Sequence, residues 1–214
     1  MDKGSSASIV IVDYGMGNLR NVQKAFEHIG VMPRVSSQAA DLVEADGLVL
    51  PGVGAFGDAM ANLRELGLDV LLRGLVSDGK PLLGICLGLQ LLFQESEEMG
   101  VHRGLGVLPG KVVRFAEGLK VPHIGWNQLQ LSENGKQSVL LDGIPDGSYA
   151  YFVHSYYVAP EDPACALATT DYGLDFVSVV GQGRVFGAQP HPEKSQEVGL
   201  RILRNFAQMI GAMA

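Results

Sequence analysis

The segment that most constrains this chain is Pro81-Leu82-Leu83-Gly84-Ile85, an apolar run too short for a helix, which leads directly into Cys86 and then into the helical pattern Leu87 to Glu95. A strand that enters a helix through Gly84-x-Cys86-x-Gly88 is a nucleophile elbow with cysteine in place of serine. Its turn is too tight for large neighbours. It lifts the central side chain to the end of a sheet and sets it on the first turn of a helix. The helix N-terminus favours negative charge at the sulfur and leaves backbone N–H groups free for an oxyanion. A free cysteine is more often a small buried hydrophobe, and Cys165 fits that description. Cys86 does not, because a core cysteine needs no glycine two residues to either side.

The rest of the first half agrees with a sheet built from strand–helix units. Ser8 to Asp13 reads as a buried β-branched strand, and Val22, Ala25, Phe26 and Ile29 follow helical spacing from Asn18 up to Gly30. A strand at Gly47 to Leu50 and helical segments across Asp58 to Ser77 precede the elbow. Such alternation implies parallel strands joined by helical crossovers. The second half is richer in strands: Gly104–Val107, Val112–Phe115, Gln128–Leu131, Tyr151–Tyr157, Ala166–Thr170, Phe176–Val180 and Arg184–Ala188, separated by Gly, Pro and Asp. A last helix, Gln196 to Ile210, places Val198, Ile202, Leu203, Phe206 and Ile210 on one face. The expected fold is α/β, a three-layer open mixed sheet with a parallel core, antiparallel additions and flanking helices.

With 214 residues, 47% hydrophobic and 18% charged, the chain is expected to form a single domain over 9–214 after a short extension, 1–8. A formal charge of -7 argues against nucleic acid, which requires a concentrated basic surface. Two cysteines cannot make a disulfide framework and suit a reducing compartment. The longest apolar stretch, Pro81 to Phe93, is broken by Gly84, Gly88 and Gln90 and is shorter than the roughly 18 residues of a membrane span. Met1 to Ser8 carries no apolar export signal, so a cytoplasmic location without membrane attachment is expected. Gly15-x-Gly17 after the first strand lacks the third glycine of a dinucleotide site.

Cys86 needs a proton acceptor and donor. His191 stands between Pro190 and Pro192 at the end of an apolar strand, and Glu193 lies two residues on, where a carboxylate can choose the imidazole tautomer and stabilise its charged form. The proposed order is Cys86, His191, Glu193. His28 and His102 sit in polar contexts and read as surface residues. His154 and His123 read as satisfied core histidines.

With the elbow and His191-Pro192-Glu193 in place, the chain resembles the class I, triad-type glutamine amidotransferases over nearly its whole length. Asp13-Tyr14-Gly15-Met16-Gly17-Asn18-Leu19, Pro122-His123-Ile124-Gly125-Trp126-Asn127 and Tyr151-Phe152-Val153-His154-Ser155-Tyr156-Tyr157 narrow the resemblance to the glutaminase subunits of imidazole glycerol phosphate synthase. The resemblance implies glutamine hydrolysis through a glutamyl thioester and transfer of ammonia to a (β/α)8 cyclase partner, with no metal or organic cofactor. It makes Gly52, Val53 and Gly54 an oxyanion strand acting with the backbone N–H of Leu87. Glutamine recognition falls to Gln90 and to backbone around Ser155 and Tyr156. Asn18, Tyr151 and Lys194 would face the cyclase. The rival readings are a glutaminase serving another synthase, an inactive regulatory homologue, and a cysteine hydrolase acting without a partner.

Overall fold

A computed structural model of the chain describes residues 7–213, so of the expected extension 1–8 all but Ala7 and Ser8 lies outside the described residues. Along the chain run β1 (Ile9–Val12), α1 (Leu19–His28), β2 (Arg34–Ser36), α2 (Ala39–Glu44), β3 (Gly47–Gly52), α3 (Phe56–Glu65), α4 (Leu68–Ser77), β4 (Leu82–Cys86) and α5 (Leu87–Leu91). They are followed by β5 (Phe93–Ser96), β6 (His102–Arg103), β7 (Leu108–Arg114), β8 (His123–Leu131), α6 (Glu133–Lys136), β9 (Ser148–His154), β10 (Tyr156–Pro160), β11 (Ala166–Asp171), β12 (Asp175–Gln182), β13 (Val185–Ala188) and α7 (Gln196–Met209).

The main sheet has the order β2-β1-β3-β4-β13-β12-β10-β7-β5-β6, with β11, β8 and β9 branching from β12. From β2 to β13 every pairing is parallel, and β12 and β10 then join antiparallel. Period-two alternation along β1 sends Ile9 and Ile11 to a core shared with Phe26, Ile202 and Phe206, and Val10 and Val12 to a second core shared with Phe56, Leu63 and Leu72. Both faces of the sheet are thus covered by helices, as the apolar β-branched strands require.

Four sequence expectations are corrected. The elbow helix stops at Leu91 rather than Glu95, since Phe93–Ser96 turns into β5 and pairs parallel with β7. Gly104–Val107 is no strand. It wraps the end of α5, where Leu105 N–H donates to the Leu91 carbonyl at 2.8 Å and Val107 N–H to that of Leu92 at 2.8 Å. Tyr151–Tyr157 is two strands rather than one. The break falls at Ser155, after which β10 leaves β8 for β7 and β12. His102, expected on the surface, is half-buried with its ring against Gly57.

The elbow glycines are required by contact. A Cβ on Gly88 would lie 1.7 Å from the Leu50 carbonyl oxygen, and one on Gly84 would lie 2.7 Å from the Gly88 carbonyl. Neither obstacle is a side chain that could swing away. Gly88→Ala is therefore expected to destabilise the fold by about 3 kcal/mol or more, by prising β3 from α5. A denaturant midpoint equal to that of the unmodified chain would show that the two elements separate more easily than this contact implies.

Candidate active site

Cys86 ends β4 at φ 54°, ψ -109°, a region that non-glycine residues adopt only when their surroundings enforce it. Here β3 on one side and β13 on the other hold it in register, with Gly52 opposite Cys86 and Ala188 opposite Ile85. Beyond β13 the chain passes through Gln189 and Pro190 to His191, so two neighbouring parallel strands deliver the sulfur and the imidazole to the same end of the sheet. That end is where open α/β sheets hold their ligands.

His191 is 2% exposed, and its Nδ1 lies 2.8 Å from Glu193 Oε1. The same carboxylate oxygen accepts a bond from Asn18 Nδ2 at 3.1 Å. His191 Nε2 makes no hydrogen bond among the described residues and is left to the Cys86 side. Burial alone pulls the imidazole pKa down, but the neighbouring Cys86 and the bonded Glu193 carboxylate outweigh it and push the pKa up to about 10. Burial likewise works against the Glu193 carboxylate, and the His191 and Asn18 contacts reverse this, leaving it below its ordinary value. The arrangement favours an imidazolium at His191 paired with the Glu193 carboxylate. The backbone of His191 is fixed as well: its N–H donates to the Tyr151 carbonyl at 2.8 Å, and its carbonyl accepts from Ser195 Oγ at 2.7 Å.

The sulfur opens on a cavity of about 320 Å³ lined by Val53, Gly54, Leu87, Gln90, Glu98, Ser155 and Tyr156 as well as Cys86 and His191. Gln90 Nε2 bonds the Tyr156 carbonyl at 2.9 Å and Gln189 Oε1 at 3.0 Å. Gln189 in turn directs its Nε2 at Cys86 Sγ, 3.7 Å away. At the rim, Glu98 accepts the Phe56 N–H at 2.6 Å. The glycines flanking Val53 differ in what they do. Gly52 is hemmed in, a Cβ there meeting Tyr14 Oη at 2.6 Å and Leu87 Cβ at 2.9 Å, whereas Gly54 holds φ 101°. Tyr14 is fully buried, its hydroxyl donates to the Pro51 carbonyl at 2.9 Å, and burial together with the nearby Cys86 charge raises its pKa.

Of the residues singled out in the sequence, Cys86, His191, Glu193, Gln90, Val53, Gly54, Leu87, Ser155 and Tyr156 surround or adjoin this cavity. Asn18 is half-buried with its amide spent on Glu193, so it touches the candidate triad directly instead of standing apart from it. Lys194 Nζ lies 5.7 Å from the centre of the Tyr151 ring, and the Trp126 and Tyr151 rings meet edge to face with centres 6.0 Å apart. Tyr14, Glu98 and Gln189 were not singled out. A buried glutamine ending an apolar strand just before His191 was the available signal for Gln189. Among the described residues no group of three or more His, Cys, Asp or Glu side chains could hold a metal ion, and no helix is long and apolar enough to cross a membrane.

The paired histidine and carboxylate suggest a graded experiment. Glu193→Gln keeps the shape but loses the charge that orients and stabilises the imidazolium. Any turnover that depends on Cys86 is expected to fall by about 100- to 10,000-fold, less than on loss of the sulfur. A loss as complete as that of Cys86→Ala, in a folded protein, would assign the carboxylate more than orientation.

The same shifts set a pH profile for stability. His191 has a raised folded pKa, so its contribution is complete below the ordinary imidazole value of 6.5 and is lost as pH rises through about 10. His154 has a folded pKa lowered by burial to about 3, so its contribution is lost as pH falls below 6.5. Thermal unfolding should show a maximum near neutral or slightly acid pH, with a falling alkaline limb that His191→Ala flattens. A midpoint that climbs steadily through the alkaline range would contradict the assignment for His191.

The site thus sets a sheet-end cysteine on a glycine-flanked elbow beside a buried histidine–carboxylate pair, at the strand ends of an α/β sheet. The chain belongs to the class-I glutamine amidotransferase family, whose model matches residues 10–210. Its sequence relatives narrow this. The chain is 54% identical to imidazole glycerol phosphate synthase subunit HisH of Syntrophotalea carbinolica, over 94% of this chain and 100% of that one. It is 55% identical to the same subunit of Aquifex aeolicus, over 92% and 94%. Among solved structures, a glutamine amidotransferase superposes with a TM-score of 0.74 at 24% identity, covering 94% of this chain and 98% of that one. PurLQS from Thermotoga maritima does so with 0.76 at 19%, covering 96% and 100%. At those identities the likeness establishes the fold.

Proposed function

We propose that this protein is the glutaminase subunit of an imidazole glycerol phosphate synthase, releasing ammonia from glutamine for a (β/α)8 cyclase partner in histidine biosynthesis. The observation that carries the reading is the buried His191–Glu193 pair at 2.8 Å set beside Cys86 on its elbow. The Cys86 thiolate attacks the side-chain amide carbon, and the oxygen of the tetrahedral intermediate is held by backbone N–H groups of Leu87 and of the Val53–Gly54 turn. The His191 imidazolium gives its proton to the departing nitrogen, leaving a glutamyl thioester and ammonia. Neutral His191 then takes a proton from water, hydroxide adds to the thioester carbon, and collapse returns the thiolate and glutamate with His191 charged again. Glu193 keeps Nδ1 protonated throughout, and Asn18 holds Glu193. Glu98 at the rim provides an anion for the α-ammonium of glutamine.

A partner is supported by the surface around the site. Ile124, Trp126 and Tyr149 are 59%, 46% and 56% exposed on the β8–β9 ribbon, next to Tyr151 and Lys194, and exposed apolar groups clustered on one face mark an interaction surface. In the partner, ammonia would react with the phosphoribulosyl formimino intermediate to give imidazole glycerol phosphate and aminoimidazole carboxamide ribotide. The test is to co-express the chain with the cyclase of its own organism and follow glutamine-dependent formation of both products. A complex that assembles and turns over with ammonium salts but never with glutamine would reject the reading.

A further inference from the structure

Two buried histidines outside the proposed chemistry connect the protein surface to the glutamine cavity. His123 and His154 are register partners on β8 and β9, 3% and 6% exposed, and enclosed by the rings of Phe115, Phe152, Tyr172 and Phe176. Desolvation lowers the pKa of both, so each ring carries one N–H and one lone pair at neutral pH. The neighbours decide which nitrogen is which. Asn127 Oδ1 accepts the Gln128 N–H at 2.8 Å, which leaves its Nδ2 to donate to the Asp171 carbonyl at 2.8 Å and to His123 Nε2 at 3.3 Å. His123 is therefore protonated on Nδ1, which lies 3.2 Å from His154 Nε2. His154 accepts there and donates from its own Nδ1 to the Tyr156 carbonyl at 2.8 Å. That carbonyl is the one that also receives Gln90 Nε2.

We propose that Asn127, His123 and His154 are positioning residues, a one-way hydrogen-bond relay that fixes the Ser155–Tyr156 corner and the Gln90 amide where the cavity grips glutamine. The inference rests on the glutaminase reading above. Direction is what the relay adds to mere packing. Reversing either ring sets two N–H groups or two lone pairs against each other inside the cage of aromatic rings, and the mismatch is relieved by moving the Tyr156 carbonyl and releasing Gln90. The strand breaks at Ser155, whose carbonyl accepts the Phe115 N–H at 3.3 Å, so the relay and the β7 pairing meet at this corner.

Two measurements test this. Histidine-selective ¹⁵N NMR at pH 7 on the assembled complex should find both rings neutral and protonated on Nδ1, the tautomer that free imidazole side chains disfavour. Either ring as the Nε2–H tautomer, or charged, overturns the relay. Asn127→Asp keeps the shape but cannot donate, and His154→Phe removes the last link while keeping an aromatic ring in the cage. Both variants are expected to raise KM for glutamine about 10-fold or more, with a smaller change in kcat, while Cys86 alkylation by iodoacetamide keeps its unmodified rate. If His154→Phe does not assemble, Asn127→Asp decides alone. An unchanged KM in an active complex rejects the proposal, whereas an unmodified complex without glutaminase activity removes both the proposal and the reading beneath it.

Discussion

Cys86→Ala is expected to lower glutamine hydrolysis by at least about 10,000-fold while leaving ammonia-dependent synthesis by the assembled complex nearly unchanged. The size follows from the proposed role: removing the sulfur removes the covalent intermediate altogether. The selectivity follows from placement. Cys86 is 6% exposed and in the proposed chemistry serves only the source of ammonia, so a partner supplied with ammonium salts would have no use for it. Both activities should be measured on the same purified complex. Failure of ammonium to restore synthesis, with the complex intact, would contradict the division of labour between the two chains.

The isolated chain is expected to hydrolyse glutamine about 100- to 1000-fold more slowly than the complex with a ligand-loaded cyclase, the amount typically lost when one oxyanion donor is missing. The candidate donor lies in a short, asymmetric segment. Gly52 is pinned between Tyr14 and Leu87, and the Pro51 carbonyl is bonded to Tyr14 Oη, while Val53 is 41% exposed and Gly54 stands at φ 101°. Any peptide rotation is thereby confined to the outer end of the turn, where it meets least resistance. Coupling needs an element with two states that the partner biases differently. Lys194 follows Glu193 directly, and its ammonium sits over Tyr151, whose carbonyl holds the His191 N–H. Turnover should be compared for the isolated chain, the complex, and the complex with cyclase ligand. Full activity in the isolated chain would eliminate the switch. Stimulation that disappears in Lys194→Ala, with Cys86 still open to alkylation, would locate the coupling at this face.

What could be read from sequence divides along a physical line. The elbow was legible because its constraint is local: two glycines, a cysteine and a strand–helix junction fit within a few residues. The parallel strands were legible from short β-branched runs, and His191 with Glu193 from two prolines and a spacing of two. The end of α5 was not, since Leu91 to Phe93 is apolar in either a helix or a strand and only the distant β7 decides. Nor was the break at Ser155, where Tyr151 to Tyr157 reads as one alternating strand. The β2 segment, Arg34–Ser36, is too short and polar to announce itself. In the site, the missing knowledge was of partners far along the chain: Asn18 meets Glu193 across 175 positions and Gln189 meets Cys86 across 103. No pattern within a window reports such a pair.

The backbone of Cys86 has a consequence that extends past catalysis. Its φ of 54° with ψ of -109° belongs to glycine's territory, and holding a side chain there costs of the order of 1–3 kcal/mol. The scaffold would rest more easily with no side chain at this position at all. Stability and activity therefore pull in opposite directions at one residue, and an ancestor or laboratory lineage selected for robustness alone would be expected to lose its nucleophile here first. The cysteine persists in the fold as a standing expense that only its use can justify.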